Sequence, residues 1–404
     1  MRRAADNHFF VTAAAALLRL VRYDWDRSSW SASVDRDIDW TEVVRMALDH
    51  GVAGILCRSI GALPSRDVPE DIAAAATVYL DRAHVEGSAL LAQLGDVLDV
   101  LAADDIAALP FKGPALGALA HASATIRPSR DIDVLVRARD MDGAVAALGR
   151  LGYRLSESLP PKAMAACYES YGQDILFAES RAPVEPHCAF TPSRLAVDLD
   201  LESMWQRAGT LMLDGRSVRT LSLEDTALVA CLHGSKERWW RLLWVADVAA
   251  LIHRHPALDW TAVAERAREA GAQRMLLLGV GLARELFAST LPDGIATAID
   301  GDETLSRLVK EIARDVSAPR VPSGPPDHLS LYYWRLRERP RDRLRYVWRA
   351  LTTPRFQHYG MIRLPDALFG GYVVIKLVHD YVLLPLWWLA KGRWRRRAPD
   401  SVGA

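Results

Sequence analysis

One short segment constrains the fold more than any other. Residues 127–136, with the sequence RPSRDIDVLV, place two carboxylates at the start of an otherwise apolar strand. Because side chains alternate between the two faces of a strand, Asp131 and Asp133 point the same way. Two carboxylates on one side repel each other unless a cation lies between them. Oxygen ligands at this spacing suit Mg²⁺, which completes its shell with water and substrate phosphates. The segment therefore predicts a metal site at the end of a buried strand.

Length and composition limit the class of protein. A chain of 404 residues is longer than one ordinary domain and predicts two or three. Lys plus Arg and Asp plus Glu number 50 each, so no excess of positive charge favours a nucleic-acid partner. We see no signal peptide, because Arg19 interrupts the apolar stretch near the N-terminus. The cysteines form no CxxC pair, which is typical of buried, reduced thiols in a cytoplasmic protein: Cys57, Cys167, Cys188 and Cys231.

Apolar periodicity divides the chain into four regions. They are an N-terminal helical region at 1–100, an α/β core with a mixed sheet at 101–204, a helical domain at 205–317, and a proline-rich linker with an Arg- and Trp-rich helical tail at 318–404. Residues 174–178 and 184–189 flank a turn and predict a β-hairpin. A second Asp-x-Asp, at residues 37–39, precedes helical spacing, so we expect Asp39 or Thr41 to cap that helix. The predicted fold class is α/β with helical flanks.

Two further pieces of the α/β core are expected to face the aspartate pair. Lys112-Gly113 stands where a strand turns into a helix, whose free N–H groups favour an anion, and Lys112 adds a point charge for phosphate. Glu185 has same-face spacing with His187 on a strand that should lie beside residues 132–136. Taken alone, the first is also an ordinary strand exit and the second a surface residue. A third carboxylate allows two metal ions, or one ion and a general base.

Taken in order, these residues resemble a known family. The pattern KG at 112–113, RPSRDIDVLV at 127–136 and VEPH at 184–187 is similar to the bacterial uncharacterised nucleotidyltransferase family of the DNA polymerase β-type superfamily. In that superfamily two aspartates and a third carboxylate bind Mg²⁺ and transfer a nucleoside monophosphate from an NTP, such as ATP, to a hydroxyl, releasing pyrophosphate. The resemblance implies that Asp131 and Asp133 are metal ligands and that Glu185 is the third carboxylate, with two Mg²⁺ ions possible.

Two positions depart from the superfamily pattern. Lys112-Gly113 stands where the superfamily usually has Gly-Ser. Pro186 follows Glu185 directly, and because proline cannot donate to a sheet, we expect this strand at an edge or a bulge.

A second cluster, at residues 232–247, also resembles the family. If this segment is helical throughout, its polar and aromatic residues form one stripe that would face the nucleotide, with a basic side chain on phosphate. The alternative is an amphipathic packing helix. Arg127 either reaches a phosphate or pairs with Asp131 or Asp133. The candidate nucleotide-binding residues are Lys112, Gly113, Arg127, His233, Lys236, Arg241 and Asp247, and the stripe also contains Trp240 and Trp244.

The C-terminal tail leaves two alternatives. Residues 372–390 are apolar, but their longest uncharged run, residues 381–390, is shorter than the roughly 20 residues that a bilayer span needs. Three tryptophans beside basic residues suit a peripheral contact with the inner membrane face, whereas the alternative is a packed helix with a solvated basic end. These residues are Trp387, Trp388, Lys391, Arg393, Trp394, Arg395, Arg396 and Arg397.

The leading functional expectation is a Mg²⁺-dependent nucleotidyltransferase with an NTP as substrate and an acceptor that the sequence does not identify. The alternative is a catalytically degenerate module that senses a nucleotide or binds a partner.

Overall fold

The structure is a computed structural model that describes residues 2–29, 38–156, 159–317, 330–384 and 386. Among these residues the first nine helices are α1 (Arg2–Tyr23), α2 (Trp40–Asp49), α3 (Ala53–Ala62), α4 (Glu70–Ala102), α5 (Gly113–His121), α6 (Met141–Gly149), α7 (Pro161–Tyr171), α8 (Leu201–Gln206) and α9 (Leu223–Lys236). The others are α10 (Leu242–Arg254), α11 (Trp260–Glu269), α12 (Gln273–Phe287), α13 (Asp293–Asp300), α14 (Glu303–Val316), α15 (Leu331–Leu336), α16 (Pro340–Thr352), α17 (Phe356–Met361) and α18 (Gly371–Val378). The strands are β1 (Leu109–Pro110), β2 (Ile132–Leu135), β3 (Arg154–Leu155), β4 (Leu176–Phe177), β5 (Val184–His187), β6 (Gly209–Leu213) and β7 (Arg216–Thr220).

A five-stranded mixed sheet lies at the centre of the chain, in the order β1-β2-β5-β4-β3. Only β2 and β5 run parallel in it, and their register places Asp133 opposite Glu185. Ile132 and Val134 enter a core shared with α4 and α6, as alternation predicts. The expected hairpin is present, because β4 pairs antiparallel with β5. The predicted α/β class with helical flanks is confirmed.

The expected edge position of β5 is wrong, since β5 is the middle strand. Towards β2, Val136 N–H donates to His187 O over 2.8 Å. The Pro186 carbonyl instead accepts from Asp174 N–H, over 3.1 Å, on the β4 side. The N–H and C=O of one residue point to the same side of a strand, so the backbone nitrogen of Pro186 also faces β4. On that side β4 pairs with β5 only through Val184. The proline therefore removes no bond from the β2–β5 ladder.

Other local predictions met with different outcomes. Asp39 caps α2 as expected, because its side chain accepts from Glu42 N–H over 3.0 Å. Within the predicted N-terminal helical region, α2 and α3 are separate helices, with Gly51 at a φ of +74° between them. The expectation of helices alone across residues 205–317 is wrong, since β6 and β7 form a second, two-stranded sheet there.

One core joins the N-terminal helices to the helices that follow the sheet. Leu17 and Leu20 of α1 are at most 1% exposed and share this core with buried residues of α9, α10, α12 and α14. Helices α15 and α16 add Tyr333 and Tyr346 to the same core. The two helical regions therefore pack together beside the sheet.

The C-terminal segment also reaches the sheet region, because Tyr359 of α17 and Tyr372 of α18 pack against Cys167 of α7. All four cysteines are unpaired; Cys57, Cys167 and Cys231 are buried and Cys188 is half-buried. The proline-rich linker at 318–329 and the basic tail beyond Leu386 lie outside the described residues, so the expected membrane contact stays a prediction. Among the described residues, no helix is both long and apolar enough to cross a bilayer.

A buried histidine at the α2–α10 contact makes stability depend on pH. Leu242 N–H donates to His50 Nδ1 over 3.3 Å, and His50 is 1% exposed. Burial lowers the pKa of His50 from 6.5 to about 4. Between these pH values the unfolded chain binds a proton at His50 and the folded chain does not. The contribution of His50 to stability is therefore fully present above pH 6.5 and is lost as the pH decreases. We expect urea unfolding to show a loss of about 2–3 kcal/mol at pH 4.5 relative to pH 7.5 from this residue.

His50→Asn is the matched control, because an amide oxygen replaces Nδ1 as acceptor and does not titrate. The difference between wild type and variant isolates His50 from the other histidines. Equal pH dependence of the two proteins would contradict the prediction.

Candidate active site

Asp133 lies at the centre of the candidate site, on β2. Its Oδ1 accepts hydrogen bonds from Lys112 Nζ at 2.7 Å and from His187 Nε2 at 2.8 Å. Burial would raise the pKa of Asp133, but the Lys112 charge and the His187 hydrogen bond outweigh it and hold that pKa well below its usual range. Among the described residues Oδ2 has no hydrogen-bond partner. Asp133 is thus a fixed carboxylate with one oxygen left for a ligand.

Glu185 and His187 face Asp133 from the neighbouring strand. Glu185 Oε2 accepts from Gln173 Nε2 at 2.9 Å and lies 3.5 Å from His187 Nε2. Ligand atoms of Asp133, Glu185 and His187 lie within 4.8 Å of one another. The same-face spacing of residues 185 and 187 predicted this proximity, although His187 was not counted among the candidate ligands. Gln173 carried no signal, because its role depends on the β4–β5 pairing.

Asp131 lies just before β2, and the charges of Asp133, Glu185 and Lys112 act on its carboxylate. Burial, followed by the charges of Asp133 and Glu185, raises the pKa of Asp131. The Ser129 hydroxyl lies 3.3 Å from Asp131 Oδ1 and 3.1 Å from its carbonyl oxygen, which holds the turn. The mutual repulsion of the three carboxylates is the electrostatic condition that a bound cation relieves.

Lys112 and Gly113 form the turn from β1 into α5. Gly113 has a φ of +50°, and a Cβ atom there would lie 3.0 Å from Ser129 Oγ, so the position requires glycine. Burial opposes the Lys112 charge, but Asp133 outweighs it and raises the pKa of Lys112. Lys112, which the sequence predicts to contact phosphate, therefore stays charged and forms an ion pair with Asp133.

Arg127 and Asp247 form a buried ion pair. Arg127 Nε donates to Asp247 Oδ1 at 3.0 Å and Arg127 Nη2 to Asp247 Oδ2 at 2.9 Å. His121 Nε2 lies 2.8 Å from the same Oδ1. The expected pairing of Arg127 with Asp131 or Asp133 is wrong, because Asp247 satisfies the guanidinium bidentately. This pair fastens the RPSR turn to α10.

The expectation of one continuous helix over residues 232–247 is also wrong. Helix α9 ends at Lys236 and α10 begins at Leu242, and Arg238 and Trp239 between them have positive φ values of 56° and 57°. The break carries the Trp239 ring into the core, where it is fully buried. Burial of a large aromatic side chain offsets the cost of two residues in the left-handed region.

The residues of the expected stripe separate accordingly. His233, Trp240 and Trp244 remain in contact, with ring centroids 5.3 Å apart in both pairs. Burial, followed by the charges of Lys112 and Lys236, lowers the pKa of His233, so it stays neutral. The charges of Lys112 and Asp133 act on Lys236 as well. Arg241 lies over the Trp240 ring at 4.3 Å.

The carboxylates fit a divalent cation. In each of the three carboxylates, one oxygen accepts a hydrogen bond from a protein donor and the other has no hydrogen-bond partner among the described residues. These carboxylates are Asp131, Asp133 and Glu185. Carboxylate oxygens are the hard donors that Mg²⁺ prefers. The ligand atoms that lie within 4.8 Å of one another belong to Asp133, Glu185 and His187, and Asp131 is not in this group. A buried Lys112 ammonium already neutralises part of this charge, so the site as built has a basic as well as an acidic component.

A mixed sheet with an Asp-x-Asp at β2 and a third carboxylate on the neighbouring parallel strand β5 has the features of a nucleotidyltransferase core. A family model described as uncharacterised nucleotidyltransferase matches residues 36–288, more than half of the chain. The chain therefore belongs to the uncharacterised nucleotidyltransferase family, and this assignment indicates an enzyme. A comparison with curated proteins found no match.

Proposed function

We propose that the chain is a Mg²⁺-dependent nucleotidyltransferase that moves a nucleoside monophosphate from an NTP to an acceptor hydroxyl. The observation that supports this most strongly is the register of β2 and β5, which sets Asp133 beside Glu185 with open oxygens on both. Asp131 adds its charge on the same side.

Asp131, Asp133 and Glu185 would hold Mg²⁺, which when bound neutralises phosphate charge and polarises the reacting phosphoryl group. Lys112 donates one of its three N–H bonds to Asp133 and keeps two for phosphate oxygens. Of the first three residues of α5, only Gly113 can offer its N–H to these phosphates, because Pro114 has none and Ala115 N–H donates to Lys112 O over 3.1 Å. Glu185 Oε1 accepts the proton of the acceptor hydroxyl, while Gln173 holds the other oxygen of that carboxylate.

The contact between Lys112 and Asp133 supports the alternative, a module that binds a nucleotide without turnover. An ammonium that neutralises Asp133 weakens the attraction of this carboxylate for a metal ion. The two functions differ in pyrophosphate release, which only the enzyme catalyses.

Thermal and urea unfolding of the full chain test nucleotide binding directly. We expect one or more of ATP, GTP, CTP and UTP to stabilise the protein by about 2.7 kcal/mol at about 100 times the dissociation constant, in the presence of Mg²⁺ and not with EDTA. The effect should disappear in the Asp131→Asn, Asp133→Asn double variant. Stabilisation that persists in EDTA, or in the double variant, would contradict a metal-dependent site at these residues.

A further inference from the structure

A cavity of about 570 Å³ lies beside the candidate site on its β4 side. Two of its lining residues connect it to the carboxylates. Gln173 hydrogen-bonds Glu185, and Lys236 lies close enough to Lys112 and Asp133 for their charges to act on it. A volume of this size fits a small molecule.

Four aromatic side chains line the cavity. They are Tyr171 of α7, Phe177 of β4, Tyr333 of α15 and Phe356 of α17. Phe177 is 47% exposed, which is unusual for a phenylalanine on a sheet and leaves its ring available to a ligand. Tyr333 and Phe356 lie beyond residue 288, so part of this wall comes from outside the segment that matches the family. The walls favour an aromatic or apolar body.

One cation in the cavity has no partner. Arg194 forms no hydrogen bond or ion pair with any described residue, and its buried Nε is unsatisfied. The other cation, Lys236, lies 3.5 Å from Glu237 Oε1. The remaining acid of the lining, Asp174, accepts from Ile175 N–H over 2.8 Å. Arg194 is half-buried with an inaccessible Nε, and an anionic group of a ligand would supply the counter-charge and the acceptor that its guanidinium lacks.

The strand order separates Gln173 and Phe177 of the cavity from Lys112. Lys112 and α5 follow β1, on one side of β2, whereas Gln173 and Phe177 belong to the β4 side of β5. In phosphoryl transfer the attacking and leaving oxygens are roughly in line. A triphosphate held at α5 therefore presents its α-phosphorus to an acceptor that comes from the cavity.

We propose that this cavity binds the acceptor, a small molecule with an aromatic body, an anionic group for Arg194 and a hydroxyl directed at Glu185. This proposal rests on the proposed function. The acceptor oxygen forms a bond to the α-phosphorus, and the bond from that phosphorus to the oxygen bridging to the β-phosphate breaks. Pyrophosphate leaves with the electron pair, and the hydroxyl proton passes to Glu185.

Binding of 4-hydroxyphenylacetate to the full chain, measured by calorimetry, tests the proposal. We expect this probe to bind, and 4-hydroxyphenylacetamide, which lacks the charge, and glycolate, which lacks the ring, to bind at least about tenfold more weakly. Arg194→Met should weaken the acid about tenfold and leave the amide unchanged. Phe177→Ala should weaken both aromatic probes. Arg66→Met is the matched control, since Arg66 has an 80% exposed side chain and does not line the cavity.

The Mg²⁺–NTP stabilisation separates the two proposals, because Arg194→Met should leave it unchanged. Absence of probe binding, equal binding of glycolate, or insensitivity to Arg194→Met overturns the acceptor cavity. Loss of NTP stabilisation in Arg194→Met also overturns it, by assigning the cavity to the nucleotide. If no NTP stabilises the wild type, the proposed function fails, whereas probe binding still reports on the cavity.

Discussion

Replacing Asp131 and Asp133 together by asparagine is expected to lower Mg²⁺-dependent pyrophosphate release from NTPs by more than about 100-fold. Asparagine keeps the shape of aspartate, and its amide oxygen still accepts from Lys112 and His187. Two negative charges are lost from the metal-binding face, and Glu185 alone cannot replace them. The assay follows pyrophosphate for each of four NTPs, with 4-hydroxyphenylacetate and with water as acceptors.

Two exposed aspartates of α4, Asp71 and Asp81, provide the matched control. Their double replacement by asparagine removes the same charge from the same chain and should leave turnover unchanged. Circular dichroism of both double variants checks that the fold is retained. Turnover that survives in the Asp131→Asn, Asp133→Asn protein would remove the proposed catalytic role of this pair. Absence of pyrophosphate release from the wild type, together with nucleotide binding, would favour the sensing module.

Arg127→Met is expected to lower the free energy of unfolding by about 3–5 kcal/mol, because it leaves the Asp247 carboxylate buried with His121 alone. Asp247 is 1% exposed and accepts from both Arg127 nitrogens over 2.9–3.1 Å. Burial would raise the pKa of Asp247, but the Arg127 charge outweighs it and lowers that pKa. Urea unfolding at pH 7.5 measures the loss.

Two comparisons make this stability measurement specific. The double variant Arg127→Met, Asp247→Leu should recover most of the loss, because an apolar pair needs no counter-charge. Arg82→Met breaks an exposed pair with Glu86, whose side chains are 78% and 63% accessible, and should cost at most about 1 kcal/mol. A loss in Arg127→Met no larger than that in Arg82→Met would show that the buried pair does not hold the turn.

Local patterns in the sequence predicted the elements that depend on near neighbours. The alternation of residues 131–134 predicted which side chains of β2 enter the core, and Asp39 caps α2 because a side chain three residues away can reach the helix N–H groups. The order of the motifs also predicted the family, which the match over residues 36–288 confirms. These features need only information within a few residues.

The errors concern contacts between distant parts of the chain. Arg127 and Asp247 are 120 residues apart, so the residues around Arg127 suggested only a phosphate or the nearby aspartates as its partner. The α9–α10 break depends on the burial of Trp239, which the periodicity of its own segment does not report. β5 can be the middle strand because the side of Pro186 that lacks an N–H faces β4, and the short strand β4 pairs with β5 only through Val184.

The core that joins α1 to α12 has a consequence for inheritance. Leu17 and Leu20 lie before the family segment, yet they fill the same close-packed interior as buried residues of α12 within that segment. Recombination between residues 29 and 38 would combine α1 from one homologue with the family segment of another. The side chains of the two parts would then differ in volume where they pack in the common core. The first helix and the family segment are therefore expected to be transmitted together, and changes of side-chain size in one to be compensated in the other.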